Sequence, residues 1–215
     1  MHTKELDKTT FVDIDNALYG IVVYRQLFNV EECHKILNNK FVWDKQEGSV
    51  YDAKDPKAGG DVNHDTRKCT VYHRQSQTDK DWITDRLALA YNDYKNSFRD
   101  APVADPYSTQ MEIVEYLEEA DHFAEQPDIH INAQAFKQQR QGLVRKISTS
   151  TLLNRPEEFE GCDISFRTKP NEARGIPLER GDCLMFPSYY MHKVNPLIKG
   201  ERRVLITWMH GDFWK

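Results

Sequence analysis

The second half of the chain is a ladder of short apolar runs separated by turn signals, and that pattern restricts the fold more than any other feature. Met111 to Leu117, Lys146 to Asn154, Asp163 to Thr168, Asp182 to Phe186 and Arg203 to His210 each have the length and composition of a β-strand. Arg155-Pro156, Lys169-Pro170-Asn171, Arg180-Gly181-Asp182 and Lys199-Gly200-Glu201 break them apart. The first half reads differently. Asn29 to Asn39 has helical spacing, with Asn29 and Glu32 at capping-box separation. Thr78 to Phe98 carries a second capping pattern at Thr78 and Asp81. Its Trp82, Ile83, Leu87, Ala90, Tyr91, Tyr94 and Phe98 fall on one side. Short strands are expected at Gly20 to Tyr24, Phe41 to Trp43 and Cys69 to His73, and residues 45–66 form a long polar loop. The order is α+β: a β-sandwich or jelly-roll barrel with helices packed on one side. A chain of 215 residues suits a single domain, 1–215, with 1–100 as helix-rich support and 101–215 as the β core.

Composition removes several functions. With 29 Lys+Arg against 34 Asp+Glu, the net charge of −5 argues against a dedicated nucleic-acid binder. No apolar run approaches the roughly 20 residues of a membrane helix. The N-terminus lacks an apolar leader segment, so a cytoplasmic location is expected. Cys33, Cys69, Cys162 and Cys183 form no C-x-x-C pair, and free thiols in a reducing compartment are expected. There is no phosphate-binding glycine loop and no G-x-S-x-G nucleophile elbow.

His192 is singled out among the eight histidines by its context, Phe186-Pro-Ser-Tyr-Tyr-Met-His192-Lys-Val-Asn-Pro196. Arg202 follows ten residues on. If the two begin adjacent antiparallel strands joined at Lys199-Gly200, an imidazole and a guanidinium face one cavity. That pairing suits a metal ion with a bound dicarboxylate.

The block Gly181 to Pro196, followed by Gly200-Glu-Arg202-Arg203 and Trp208, resembles the C-terminal signature of the 2-oxoglutarate/Fe(II)-dependent dioxygenases. The resemblance is to the prolyl-hydroxylase-like branch, with its small bacterial and viral members. Arg145-Lys146-Ile-Ser148, Asn154 to Gly161, Ile113 to Tyr116 and Asp121-His122-Phe123 resemble upstream blocks, and the likeness covers roughly residues 65 to 211. It implies a double-stranded β-helix, Fe(II) as metal, 2-oxoglutarate as cosubstrate and ascorbate as an accessory reductant. It also implies hydroxylation of a substrate C–H bond at the expense of oxygen, with succinate and carbon dioxide released. The implied substrate is a peptidyl proline or another protein side chain; a small molecule fits the residues equally. For a viral member, the host cell would be the place of action.

Residue by residue, the resemblance assigns Asp128 and His192 to the metal and Arg202 to the cosubstrate carboxylate. Tyr116 is placed against the cosubstrate, and Trp208 in the pocket wall or the core. Two places depart from the pattern: Gly161-Cys162-Asp163 lacks the paired glycine expected before the next strand, and one metal position differs. A histidine is expected two residues before Asp128, and the chain has Gln126, whose amide oxygen is a weaker donor than imidazole. His122 and His130 stand close enough in sequence to substitute. The departure keeps a second expectation open: a member of this fold that lost its iron and acts as a binding or structural module. The acidic run Glu112, Glu115, Glu118, Glu119, Asp121, Glu125 and Asp128 reads as a solvated strand edge and turn, balanced by Lys137, Arg140, Arg145 and Lys146. Arg145 and Lys146 are alternatively contacts for an anionic substrate.

Overall fold

The computed structural model describes residues 6–11, 19–39, 43–48, 64–74, 81–98, 101–129 and 144–212. In chain order its elements are β1 (Lys8–Phe11), β2 (Ile21–Tyr24), α1 (Val30–Asn39), β3 (Asp44–Glu47), β4 (Arg67–Lys68), β5 (Thr70–His73), α2 (Trp82–Ser97), β6 (Asp105–Tyr116) and β7 (His122–Gln126). There follow β8 (Val144–Leu152), a 3-10 turn (Pro156–Glu158), β9 (Phe159–Gly161), β10 (Ile164–Lys169), β11 (Glu172–Gly175), β12 (Cys183–Pro187), β13 (His192–Val194), β14 (Leu197–Gly200) and β15 (Arg202–Gly211).

Eight strands form a large antiparallel sheet in the order β1-β2-β12-β8-β15-β6-β5-β3. A five-stranded sheet, β11-β10-β13-β7-β4, faces it, and β14 pairs with β9 alone. Side chains alternate across a strand, so a strand buried on both faces reads as a continuous apolar run. This is the reason for the sequences IVVY in β2 and CLMFP in β12, in which every residue is buried. Ile21, Val23, Leu184, Phe186 and Val204 point between the sheets. Val22, Tyr24, Met185, Leu205 and Met209 point the other way, onto the helices. The fold is α+β, a double-stranded β-helix with two helices against the outside of the large sheet.

The helix caps follow the sequence closely. The Asn29 backbone N–H donates to Glu32 at 2.8 Å, and the Glu32 N–H donates to the Asn29 side chain at 2.9 Å. On α2 the box lies one turn later than the sequence pattern suggests. Asp81 accepts from Ile83 and Thr84, and Thr84 Oγ1 accepts from the Asp81 N–H at 2.9 Å. Such a cap stabilises by about 1 kcal/mol. Thr78 lies outside the described residues.

Three expectations are corrected. The strand expected at Phe41 to Trp43 is β3 at Asp44–Glu47; residues 41 and 42 lie outside the described residues. The N-terminal hundred residues are more than helical support. They supply β1, β2, β3 and β5, half of the large sheet, because β2 pairs with β12 and β5 with β6 across the chain. The acidic run is a solvated edge only in part: Glu118 and Glu119 are exposed on the turn. Glu112, Glu115, Asp121 and Asp128 are buried. Glu112 is met by Arg67 and His73, Glu115 by Arg203, and Asp121 by Lys68. Buried carboxylates require such partners; their ion-pair partners come from other strands, and of the following basic residues Arg145 adds its charge to Glu112 and Asp128.

Candidate functional site

His192 and Gln126 are cross-strand partners on β13 and β7, so their side chains emerge side by side on one face. Asp128 lies two residues past Gln126 and is fixed by its backbone N–H donating to the Ser188 carbonyl at 2.9 Å. His192 is 5% exposed and Asp128 8%. The His192 ring is enclosed by Phe186, Phe123 and Phe166, with centroids 5.0, 5.6 and 5.8 Å away. Its Nδ1 lies 3.0 Å from the Tyr190 carbonyl oxygen. A carbonyl can only accept, so Nδ1 carries the proton and Nε2 presents a lone pair. That lone pair faces the Asp128 carboxylate across 3.7 Å.

Burial by itself pushes the Asp128 carboxyl up; the His192 ring beside it, the Arg145 charge and hydrogen bonds from Ser148 and Trp208 outweigh it and hold the group below the usual carboxylate range. Two acceptors opposed across a space longer than a hydrogen bond are suited to a shared cation.

The opposite wall comes from β6 and β15. Their register places Arg202 beside Tyr116, Ile206 beside Glu112 and Trp208 beside Gln110. All six line one cavity of about 270 Å3 together with Gln126, Asp128 and His192. At one end Arg202 is 3% exposed, its guanidinium 5.6 Å from the Tyr116 ring centre. Arg202 Nη1 is buried and has no hydrogen-bond partner. A buried guanidinium N–H without an acceptor is costly, and a carboxylate is its natural complement. Beside Arg202, the Cys162 thiol is pushed up to about 12 by burial, against the opposing effect of the guanidinium.

The backbone on both sides of Arg202 is clamped by Asn154. Its Nδ2 donates to the Glu201 carbonyl at 2.8 Å, and its Oδ1 accepts from the Arg203 N–H at 2.8 Å. Gly200, at φ +83°, makes the preceding turn; a Cβ there would lie 2.0 Å from the Glu158 carbonyl oxygen.

At the other end the Arg145 guanidinium lies 3.7 Å from the Trp208 ring centre and donates to Gln110 Oε1 at 2.9 Å. Arg145 Nε is buried and makes no hydrogen bond, and the buried Trp208 N–H is directed at Asp128. Glu112 stands beside them, 3.2 Å from His73 Nδ1 and 3.3 Å from Arg67 Nη2.

The structure therefore brings Asp128, His192, Gln126, Arg202, Tyr116 and Trp208 to one cavity. Trp208 lines the cavity while buried, so wall and core are one role. His122 is not a substitute ligand: its ring nitrogens lie 2.8 and 3.1 Å from the carbonyls of Ala120 and Asp65, away from the cavity. His130 lies outside the described residues. His192 and Arg202 are not on adjacent strands. They sit on opposing sheets and meet across the interior, because β14 pairs with β9 rather than forming a hairpin with β13. Lys146 is buried on the face away from the cavity, near Asp212, so it is no substrate contact. Arg67, Glu112 and Gln110 escaped the sequence reading, since nothing local marks residues that meet across 45 positions of chain.

A divalent iron ion fits this donor set incompletely. Asp128 and His192 offer one carboxylate and one imidazole whose other nitrogen is already hydrogen-bonded, the usual support for a metal-binding histidine. The third neighbour is the Gln126 amide, whose Nε2 is buried without a partner. Among the described residues, no three His, Cys, Asp or Glu side chains converge.

Residues 111–210 match the family described as the 2OG-Fe(II) oxygenase superfamily, where 2OG is 2-oxoglutarate. The chain is also similar to PKHD-type hydroxylases. One from Idiomarina loihiensis is 38% identical over 70 residues, 33% of this chain and 32% of the relative. One from Colwellia psychrerythraea is 33% identical over 65 residues, 30% of this chain and 29% of the relative. The matched segment is thus about a third of these curated relatives' length. Among solved structures, a Pseudomonas putida prolyl-4-hydroxylase superposes with a TM-score of 0.65 at 13% identity, covering 92% of this chain and 96% of that one. A viral collagen prolyl hydroxylase from Paramecium Bursaria Chlorella virus-1, in its 2OG complex, gives 0.60 at 13%, covering 93% and 99%. A Trichoplax adhaerens prolyl hydroxylase, in complex with a hypoxia inducible factor peptide fragment, gives 0.63 at 14%, covering 88% and 84%. At these identities the likeness is one of fold. No described helix is long and apolar enough to cross a membrane.

Proposed function

We propose that this chain is a 2-oxoglutarate- and Fe(II)-dependent oxygenase that hydroxylates a peptidyl proline or another protein side chain. One observation carries the reading: the Asp128–His192 pair, opposed at 3.7 Å, shares a cavity with the unpartnered Arg202 Nη1. Asp128 and His192 would hold the ion, with Gln126 beside them. Arg202 would pair with the far carboxylate of 2-oxoglutarate, held in place by the Asn154 clamp, and Tyr116 would wall that end. Bound Fe(II) with 2-oxoglutarate supplies oxygen activation, with succinate and carbon dioxide as coproducts. Phe186, Ile164 and Val194 line the cavity between the two polar ends and exclude water from it.

The Trp208 end suits the substrate. Trp208 offers a flat apolar face, and the unpartnered Nε–H of Arg145 is a donor that a peptide carbonyl would satisfy. That chemistry supports a peptide, and the relatives named as prolyl hydroxylases make proline the first side chain to test.

The test is succinate formation with Fe(II), 2-oxoglutarate, ascorbate and a panel of proline-containing peptides, alongside mass spectrometry for the gain of one oxygen. Succinate coupled to an oxygen on proline is the expected result. A second reading, a module that binds 2-oxoglutarate without turnover, is favoured by the amide at Gln126 alone. It predicts cosubstrate binding with no peptide-stimulated succinate.

A further inference from the structure

The donor set at the metal position has a thermodynamic consequence. Three side chains surround it. One is an imidazole with a free Nε2 lone pair, one is a carboxylate, and one is a neutral amide. Amide oxygen is a weak, uncharged donor to a first-row divalent ion, and imidazole and carboxylate are far better ones. The Gln126 Nε2 is buried and bonded to nothing, so no neighbour holds the amide through its nitrogen. Among the described residues, the protein thus contributes two strong ligands. Across the same cavity, Arg202 Nη1 is buried and free to fix a dicarboxylate by its far end, which sends the 2-oxo acid end toward Asp128 and His192. A 2-oxo acid brings two oxygen donors at once. A protein with two strong ligands depends on those donors more than one with three does.

We infer that Gln126 makes metal retention conditional on the cosubstrate: the ion is held weakly by Asp128 and His192 alone and firmly only when Arg202 has seated 2-oxoglutarate. The inference rests on the proposed metal and cosubstrate roles of these residues. The coupling is reciprocal, so the metal tightens 2-oxoglutarate binding by the same factor. The chain would shed its metal when 2-oxoglutarate is scarce and reload when it is plentiful.

The experiment is a Mn(II) titration of the apoprotein followed by electron paramagnetic resonance of free Mn(II). It is run without and with saturating 2-oxoglutarate, and chelation by 2-oxoglutarate alone is subtracted from a protein-free titration. The expected result is a Kd at least about tenfold lower with the cosubstrate, within the usual range of coupling between sites. Arg202→Met should remove most of that gain and leave cosubstrate-free Mn(II) binding unchanged. Gln126→His should bind Mn(II) tightly without the cosubstrate and lose most of the coupling. Gln126→Ala, which needs no new contact, should stay within a few-fold of the unmodified protein in both conditions. Equal Mn(II) affinity with and without 2-oxoglutarate overturns the inference and leaves the metal assignment standing. No Mn(II) binding in either condition overturns both.

Discussion

His192 Nε2 and Asp128 Oδ2 face each other across 3.7 Å with no proton to share, because the imidazole proton is on Nδ1 and is donated to the Tyr190 carbonyl. A cation between them would satisfy both the imidazole lone pair and the buried carboxylate. Purified without chelator and with 2-oxoglutarate in every buffer, the protein should therefore carry a divalent metal above background, and His192→Ala and Asp128→Ala should each lose it. Elemental analysis of the three proteins is the check. Equal metal in all three would mean that the ion sits elsewhere.

Arg202 is the next test. Removing one partner of a buried, hydrogen-bonded charge pair costs roughly 2 kcal/mol or more. Arg202→Met should therefore weaken 2-oxoglutarate binding by at least about thirtyfold. Calorimetric titration measures it, and an unchanged affinity would remove the guanidinium from the cosubstrate site.

Asn154 positions Arg202 without touching the cavity, since its amide holds the peptide groups on both sides. Asn154→Ala leaves those buried groups unsatisfied, at a cost of about 1–3 kcal/mol, and lowers Tm by about 5 °C in a chain of this size. It should also raise the Kd for 2-oxoglutarate while cosubstrate-free Mn(II) binding stays the same. A purely structural asparagine would lower Tm and leave the Kd alone.

Glu112 predicts the acid response. Burial raises its carboxyl; the hydrogen bond to His73 and the Arg67 charge overcome that and bring it from 4.5 down to about 2. Between those values the folded state binds fewer protons than the unfolded one. Stability therefore rises with pH through the window and is lost as pH falls through it, by about 3 kcal/mol in all. Urea unfolding at about pH 3 and about pH 6 should show that slope, and Glu112→Gln should flatten it.

Arg145 separates the two ends of the cavity. Its guanidinium is stacked on Trp208 and bonded to Gln110, and Arg202 occupies the other end. Arg145→Met should raise KM for a peptide substrate by about tenfold, the loss of one charge-assisted hydrogen bond, and leave the 2-oxoglutarate Kd unchanged. Steady-state succinate formation reads the KM, and calorimetric titration the Kd.

What was legible in the sequence was mostly local. The Asn29–Glu32 box, the two helices and the apolar runs of β8, β12 and β15 depend on neighbours a few residues apart, and local spacing records them. His192 and Arg202 were legible as a pair but not as facing residues. The turn at Lys199-Gly200 reads as a hairpin, and only the pairing of β14 with β9 carries the chain to the opposite sheet. The buried acids were misread for the same reason. Glu112 is neutralised by Arg67, 45 residues upstream, and no local pattern links them. Gln126 was visible as a departure in the sequence. That it stands directly across from His192 is a matter of register, which the pairing of β7 with β13 alone determines.

The most direct measurement is an anaerobic titration of the apoprotein with Fe(II) and 2-oxoglutarate, followed by visible absorbance, with Gln126→His beside it. The account predicts a metal-to-ligand charge-transfer band in the unmodified protein when both are present, and no band in His192→Ala. A band that forms in Gln126→His and never in the unmodified protein would contradict it: the fold would then have kept the cosubstrate pocket and lost its iron.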